Sequence, residues 1–84
     1  MLNQNREMKL EIISPEKIIY SGDVLSIILP GSDGYFEILN NHAPLISLLK
    51  EGQAKYTTLT GENFQLDISQ GFVEVNNNKI TVLV

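Results

Sequence analysis

The sequence predicts an all-β domain: a two-sheet antiparallel β-sandwich of about nine or ten short strands. Short β-branched and aliphatic runs are punctuated along the whole chain by Gly, Pro, Asn and Asp. The turn signals recur at roughly 8–10-residue spacing, the rhythm of two-layer β folds. Nowhere do apolar residues repeat at helical spacing over a useful length.

In chain order, residues 1–8 read as a flexible extension and residues 9–84 as one domain, with Met8-Lys9 a possible second start. Lys9 to Ile13 is the first strand, closed by Ser14-Pro15. Lys17 to Tyr20 follows and is expected to end at the turn-like Ser21-Gly22-Asp23. Val24 to Leu29 alternates, which sets Leu25, Ile27 and Leu29 on one face and Val24, Ser26 and Ile28 on the other. Pro30-Gly31-Ser32-Asp33-Gly34 is the strongest breaker cluster, and its glycines are expected to supply positive φ. Tyr35 to Leu39 resumes a strand, broken by Asn40-Asn41-His42-Ala43-Pro44.

Leu45 to Leu49 is too short for a stable helix and is read as a strand. Glu51-Gly52 turns into Gln53 to Leu59, and Thr60-Gly61-Glu62-Asn63 forms a hairpin turn. Phe64, Leu66 and Ile68 then alternate with Gln65, Asp67 and Ser69. Gly71 to Val75 and Lys79 to Val84 flank Asn76-Asn77-Asn78, where Asn tolerates the left-handed backbone of a tight hairpin.

Composition excludes several function classes. The net charge is −4 with charges scattered, which disfavours nucleic acid and anionic lipid alike. There is no Cys for a disulfide or a thiolate metal site, and no run approaches a membrane span. Tyr20, Tyr35 and Tyr56 are too dispersed for a base-stacking platform. Protein partners remain.

Candidate chemistry is sparse. His42, the single histidine, would need Asp33, Asp67 or Ser47 brought to it for a triad or a metal site. Asp33 and Glu37 would serve as an acid–base pair only if burial or proximity split their pKa values. Gly31-Ser32-Asp33-Gly34 lacks the Gly-Lys-Ser/Thr ending and the following helix of a phosphate loop. No Asn stands in a glycosylation sequon. A turn role for His42 and solvated roles for the carboxylates are therefore favoured, and no cofactor or metal is implied. A biotinyl- or lipoyl-type carrier domain has similar size and composition. It needs a Lys at a hairpin tip, and Lys79, in Asn78-Lys79-Ile80, does not fit the usual surroundings.

Several stretches resemble the epsilon subunit of bacterial F-type ATP synthases, called delta in mitochondria. They are Ile12-Ile13-Ser14-Pro15-Glu16-Lys17-Ile18-Ile19-Tyr20-Ser21-Gly22, then Pro30-Gly31-Ser32-Asp33-Gly34-Tyr35-Phe36-Glu37-Ile38-Leu39, then His42-Ala43-Pro44-Leu45. Gly71-Phe72-Val73-Glu74-Val75 and Ile80-Thr81-Val82-Leu83 match the closing hairpin. The resemblance covers Lys9 to Val84 and implies a non-catalytic central-stalk subunit. Such a subunit joins gamma to the polar loops of the c-ring, without inserting into the membrane, and is a monomer when isolated. It would couple proton translocation to ATP synthesis on the cytoplasmic face of the bacterial inner membrane.

The ring-facing loop maps onto Pro30 to His42, which makes Asp33, Tyr35, Glu37 and His42 the expected ring contacts. Leu45, Ser47 and Leu49 are the expected gamma contacts. Tyr35 stands where many members carry an acidic residue, Glu37 where a Gly is usual, and Asn40-Asn41 replaces Pro-Gly. Gln70 replaces the first of a Gly-Gly pair. The family's two-helix C-terminal domain has no counterpart before Val84, so helix-based inhibition of hydrolysis is not expected.

Overall fold

The structure, a computed structural model, describes residues 7–84. These form eight strands and no helix: β1 (Met8–Ile13), β2 (Ile18–Gly31), β3 (Gly34–Ile38), β4 (Leu45–Leu49), β5 (Gly52–Thr58), β6 (Asn63–Ile68), β7 (Gly71–Asn76) and β8 (Lys79–Leu83). The hydrogen-bonded order is β1-β8-β7-β4-β2-β5-β6, with β3 beside β2. β1 also pairs with β2, so the sheet folds back on itself and two layers share the long β2. All pairings are antiparallel except that of β1 with β8, which is parallel.

Three expectations need correction. Met8 is only 1% exposed and opens β1, so it belongs to the domain; Glu7 before it is exposed, and residues 1–6 of the expected extension lie outside the described residues. Ser21-Gly22-Asp23 is no turn. These residues pair with Glu11, Leu10 and Lys9 inside β2, because β1 offers a ladder partner that local composition cannot reveal. Gly22 is there for close approach: a Cβ on it would lie 2.7 Å from the Tyr20 hydroxyl. The register of β2 against β5 slips between Val24 and Ser26, leaving Leu25 as the extra residue of a bulge. Val24 therefore turns inward and Leu25 outward, the reverse of strict alternation.

The turns follow the sequence more closely. Asn77 and Asn78 have φ 52° and 58°, Asn41 has 66° and Gly61 has 87°. In the breaker cluster the hairpin needs only Ser32-Asp33, with Gly34 at φ 131°; Pro30 and Gly31 stay in β2 and are buried. Gln70 avoids positive φ.

Met8, Leu10 and Ile12 of β1 meet Val24, Ile27 and Leu29 of β2, with Ile38, Val73, Val75, Ile80 and Val82 completing the dry centre. No buried side-chain polar atom among the described residues is left unsatisfied. Tyr20, Tyr56 and Phe64 continue the core as a ring stack, with centroids 4.6 and 5.6 Å apart. Burial, reinforced by Tyr20, pushes the Tyr56 phenol above its ordinary pKa.

Candidate partner-binding site

β4 pairs along its whole length with β7, but on its other side it meets β2 only at Gly31 opposite Leu49. β3 rises from the Ser32-Asp33 hairpin on the far side of β2, and the loop through Leu39–Pro44 carries the chain back. β3 and β4 are thus joined at one end by the hairpin and splayed beyond it. Between them opens a cleft of about 410 Å³, lined by Asp33, Tyr35, Phe36, His42, Leu45 and Ser47 with Gly31 and Gly34.

Each wall is pinned. The Tyr35 hydroxyl accepts a hydrogen bond from the Gln53 backbone N–H at 3.0 Å. Gly52 makes room for it, since a Cβ there would lie 2.5 Å from that hydroxyl and 2.8 Å from Pro30 Cβ. Tyr35 is 57% exposed all the same, a fixed ring facing solvent. The Ser32 backbone N–H donates to the Leu48 carbonyl at 3.1 Å, and that of Lys50 to the Pro30 carbonyl at 2.9 Å, which ties the hairpin to β4.

On the His42 side the anchor is Asn78, at the tip of the β7–β8 hairpin. Its Oδ1 accepts from the Asn41 N–H at 2.8 Å and its Nδ2 donates to Asn40 Oδ1 at 2.7 Å. Asn78→Ala is expected to cost about 2–3 kcal/mol. It removes two hydrogen bonds worth about 0.5–1.5 kcal/mol each and places Ala in the left-handed region. Urea unfolding measures the loss, and faster hydrogen exchange at Asn41 would report the freed loop.

The structure sorts the expected site residues. Asp33, Tyr35 and His42 share the cleft with Leu45 and Ser47. Glu37 is exposed on the same edge as Tyr35 but outside the cleft. Leu49 is 4% exposed and packs in the core, so it offers no contact surface. Period-two alternation turns Leu45, Ser47 and Leu49 inward; the exposed apolar side chains of β4 are Ile46 and Leu48, at 66% and 63%.

Among the described residues, His42, Ser47 and Asp67 hydrogen-bond to other groups rather than to one another. The Ser47 hydroxyl donates to the Leu48 carbonyl at 3.1 Å, and His42 Nδ1 lies 2.7 Å from the Ala43 carbonyl, which fixes it as the protonated nitrogen. Asp67 sits on β6, accepting from Gln53 Nε2 at 3.0 Å. Asp33 sits in the hairpin turn and Glu37 further along β3, opposite Ile28, and no hydrogen bond among the described residues joins them. Lys79 lies past the hairpin tip, its Nζ 3.8 Å from Glu11.

Sequence reasoning missed Gly52, Gln53 and Asn78 as supports of this site. Asn78 was legible as a turn residue, but its partners are 37 and 38 positions away.

Comparison with known proteins agrees with the geometry. The family model of the ATP synthase delta/epsilon chain β-sandwich domain matches residues 7–84. The ATP synthase epsilon chain of Chlorobium limicola is 39% identical over 83 residues, covering 99% of this chain and 94% of that protein. That of Leptospira interrogans is 46% identical over 78 residues, covering 92% of this chain but 60% of that protein. Among solved structures, a chain of the Euglena gracilis mitochondrial ATP synthase superposes with a TM-score of 0.90 at 21% identity, covering 99% of this chain and 53% of that one. A chain of the Tetrahymena thermophila mitochondrial ATP synthase central stalk and c-ring superposes at 0.77 with 17% identity, covering 98% and 66%. At such identities the superpositions speak for the fold, and the sequence matches speak for descent: this chain belongs to the ATP synthase delta/epsilon family, of which it carries the β-sandwich domain.

Proposed function

We propose that this chain is a non-catalytic rotor subunit of an F-type ATP synthase, seated between gamma and the c-ring at the cytoplasmic face of the bacterial inner membrane. The family match across residues 7–84 carries the reading. The physical task is torque transmission, which demands a body that does not deform. Strand ladders closed around a dry, close-packed core meet that demand, because such interiors are barely compressible.

The cleft edge is the ring contact in this reading. Asp33 and Glu37 supply negative charge, Tyr35 a pinned aromatic face, and His42 a side chain on the opposite wall. A guanidinium on a ring loop would stack on the Tyr35 ring and approach Asp33, using cation–π attraction of about 0.5–1 kcal/mol at an exposed site. The exposed carboxylates add about 0–1 kcal/mol each. Individually weak contacts of this kind set register while the larger apolar contacts hold the assembly.

The test uses inverted membrane vesicles with and without the chain. Without it, ATP-driven proton pumping and ATP synthesis should fall to background while soluble ATP hydrolysis persists. Pumping that is unaffected by complete removal would exclude the coupling role. The double variant Asp33→Ala/Tyr35→Ala should retain the fold but lose a substantial part of the pumping, restored by the complementing wild-type chain.

A further inference from the structure

The sheet path ends on β6. Among the described residues this strand pairs only with β5, so one side of its backbone is open. The Gln53 N–H is taken by the Tyr35 hydroxyl, and the Thr58 N–H reaches the Glu62 carbonyl. Alternate residues of an antiparallel ladder bond to opposite sides. Phe64, Leu66 and Ile68 therefore bond to β5, and the N–H and C=O groups of Asn63, Gln65 and Asp67 point out from the sheet edge.

Native edge strands are usually blunted by Pro, Lys, a bulge, an inward charge or short length. β6, Asn-Phe-Gln-Leu-Asp-Ile, runs six residues without Pro, Gly or a basic side chain, and its register with β5 is unbroken. Ile68 is buried in the core, Leu66 packs against it, and Phe64 stacks on Tyr56. Its one charge, Asp67, is not among these inward side chains and accepts a hydrogen bond from Gln53 Nε2.

The strand is also self-complementary. Laid antiparallel on a second β6 with a two-fold axis at Gln65, Gln65 meets its own copy, Asn63 meets Asp67 and Phe64 meets Leu66. Only this register pairs all three outward-pointing residues with one another. Asn63 Oδ1 is held by the Thr57 hydroxyl at 2.7 Å, which leaves Nδ2 to donate. One Asp67 oxygen is held by Gln53 Nε2 at 3.0 Å, which leaves the other to accept. Phe64, 45% exposed, gains an apolar neighbour across the axis. An axis at Asp67 would instead set two carboxylates face to face.

We propose that the free chain forms a two-fold dimer by β6–β6 pairing, which joins the β3-β2-β5-β6 layers of two copies into one sheet. Each copy uses its β6 edge on the other, so the contact is closed and recruits no third chain. The dimer replaces the isolated monomer that the family resemblance implies. It is independent of the rotor reading, since no residue lining the cleft takes part. A ladder from Asn63 to Asp67 falls short of the roughly 1,600 Å² of a standard interface. The dimer is therefore weak, with a dissociation constant on the order of 0.1 mM.

Sedimentation velocity and amide hydrogen exchange on the purified chain, from about 10 µM to about 1 mM, bracket that constant. The sedimentation coefficient should rise with concentration. The Asn63, Gln65 and Asp67 amides should exchange fast in dilute solution and become protected in concentrated solution. Gln65→Lys sets like charges across the axis, and Asn63→Asp sets a carboxylate opposite Asp67 of the second copy. Each should keep the melting temperature and weaken association by about tenfold or more. Asn63→Lys, facing that same carboxylate, should tighten it, with the gain lost at high salt. A chain that stays monomeric throughout would overturn the proposal. So would edge amides protected at every concentration, because another segment of the same chain would then cover β6. Dimerisation indifferent to both Gln65→Lys and Asn63→Asp would overturn it too, whichever surface carried the contact. None of these outcomes bears on vesicle pumping, by which the rotor reading is judged.

Discussion

Ile27→Ala is expected to destabilise the domain by about 3–4 kcal/mol, within the 2–5 kcal/mol typical of a buried Ile or Leu truncation. Ile27 is fully buried and sits where β2 carries partners on both sides, opposite Ile38 of β3 and Tyr56 of β5. The surrounding strands cannot collapse into the cavity without breaking a ladder on one side or the other. Total stability for a chain of this length is on the order of 4–13 kcal/mol, so one methyl-lined void would consume a large part of it. Urea titration should show a lower midpoint with an unchanged slope. A loss below about 1 kcal/mol would mean that β2 is not the shared spine of the two layers.

Gly71→Ala should cost about 2–3 kcal/mol, an overpacking penalty at a position where nothing flexible can yield. The added Cβ would lie 2.5 Å from the Leu83 carbonyl oxygen and 3.3 Å from Val84 Cγ1. Relief requires backbone movement at the end of β8, where the Val84 N–H also donates to the Ile13 carbonyl at 2.9 Å. The shift would disturb the pairing of Leu83 with Ile13, so the parallel ladder between β1 and β8 should loosen along with the loss of stability. Gly34→Ala makes an instructive comparison: its Cβ would meet nothing within 4 Å, and only the φ of 131° opposes it. Thermal unfolding of the two variants separates steric collision from backbone strain, with Gly71→Ala the more harmful.

The strands were legible because most are short, bounded by Gly, Pro or Asn, and half-buried on one face. The Asn77-Asn78 and Gly61 turns followed from residue chemistry alone, since few side chains tolerate a left-handed backbone. Ser21-Gly22-Asp23 misled because turn composition is a local signal, whereas a ladder partner 10–14 residues upstream can hold the same residues extended. The bulge at Leu25 misled for a related reason. Strict alternation assumes one residue against one, and a single extra residue exchanges the two faces.

For the candidate site, residue identity named Asp33, Tyr35 and His42, which the fold places on the lining of one cleft. It did not find that β4 presents Ile46 and Leu48 outward in place of Leu49, because alternation says which residues share a face but not which face is covered.

By itself, the sequence determined the class of the domain, most of its turns and its family motifs. Those depend on residue type and on neighbours a few positions away. Tertiary structure alone decided that β2 is continuous, that β1 lies parallel to β8, that the cleft opens where β4 leaves β2, and that Leu48, Phe72, Leu83, Ile13 and Ile18 fall into line. Each of those is a matter of register between segments far apart in the chain, set by how all the strands bury their apolar faces together.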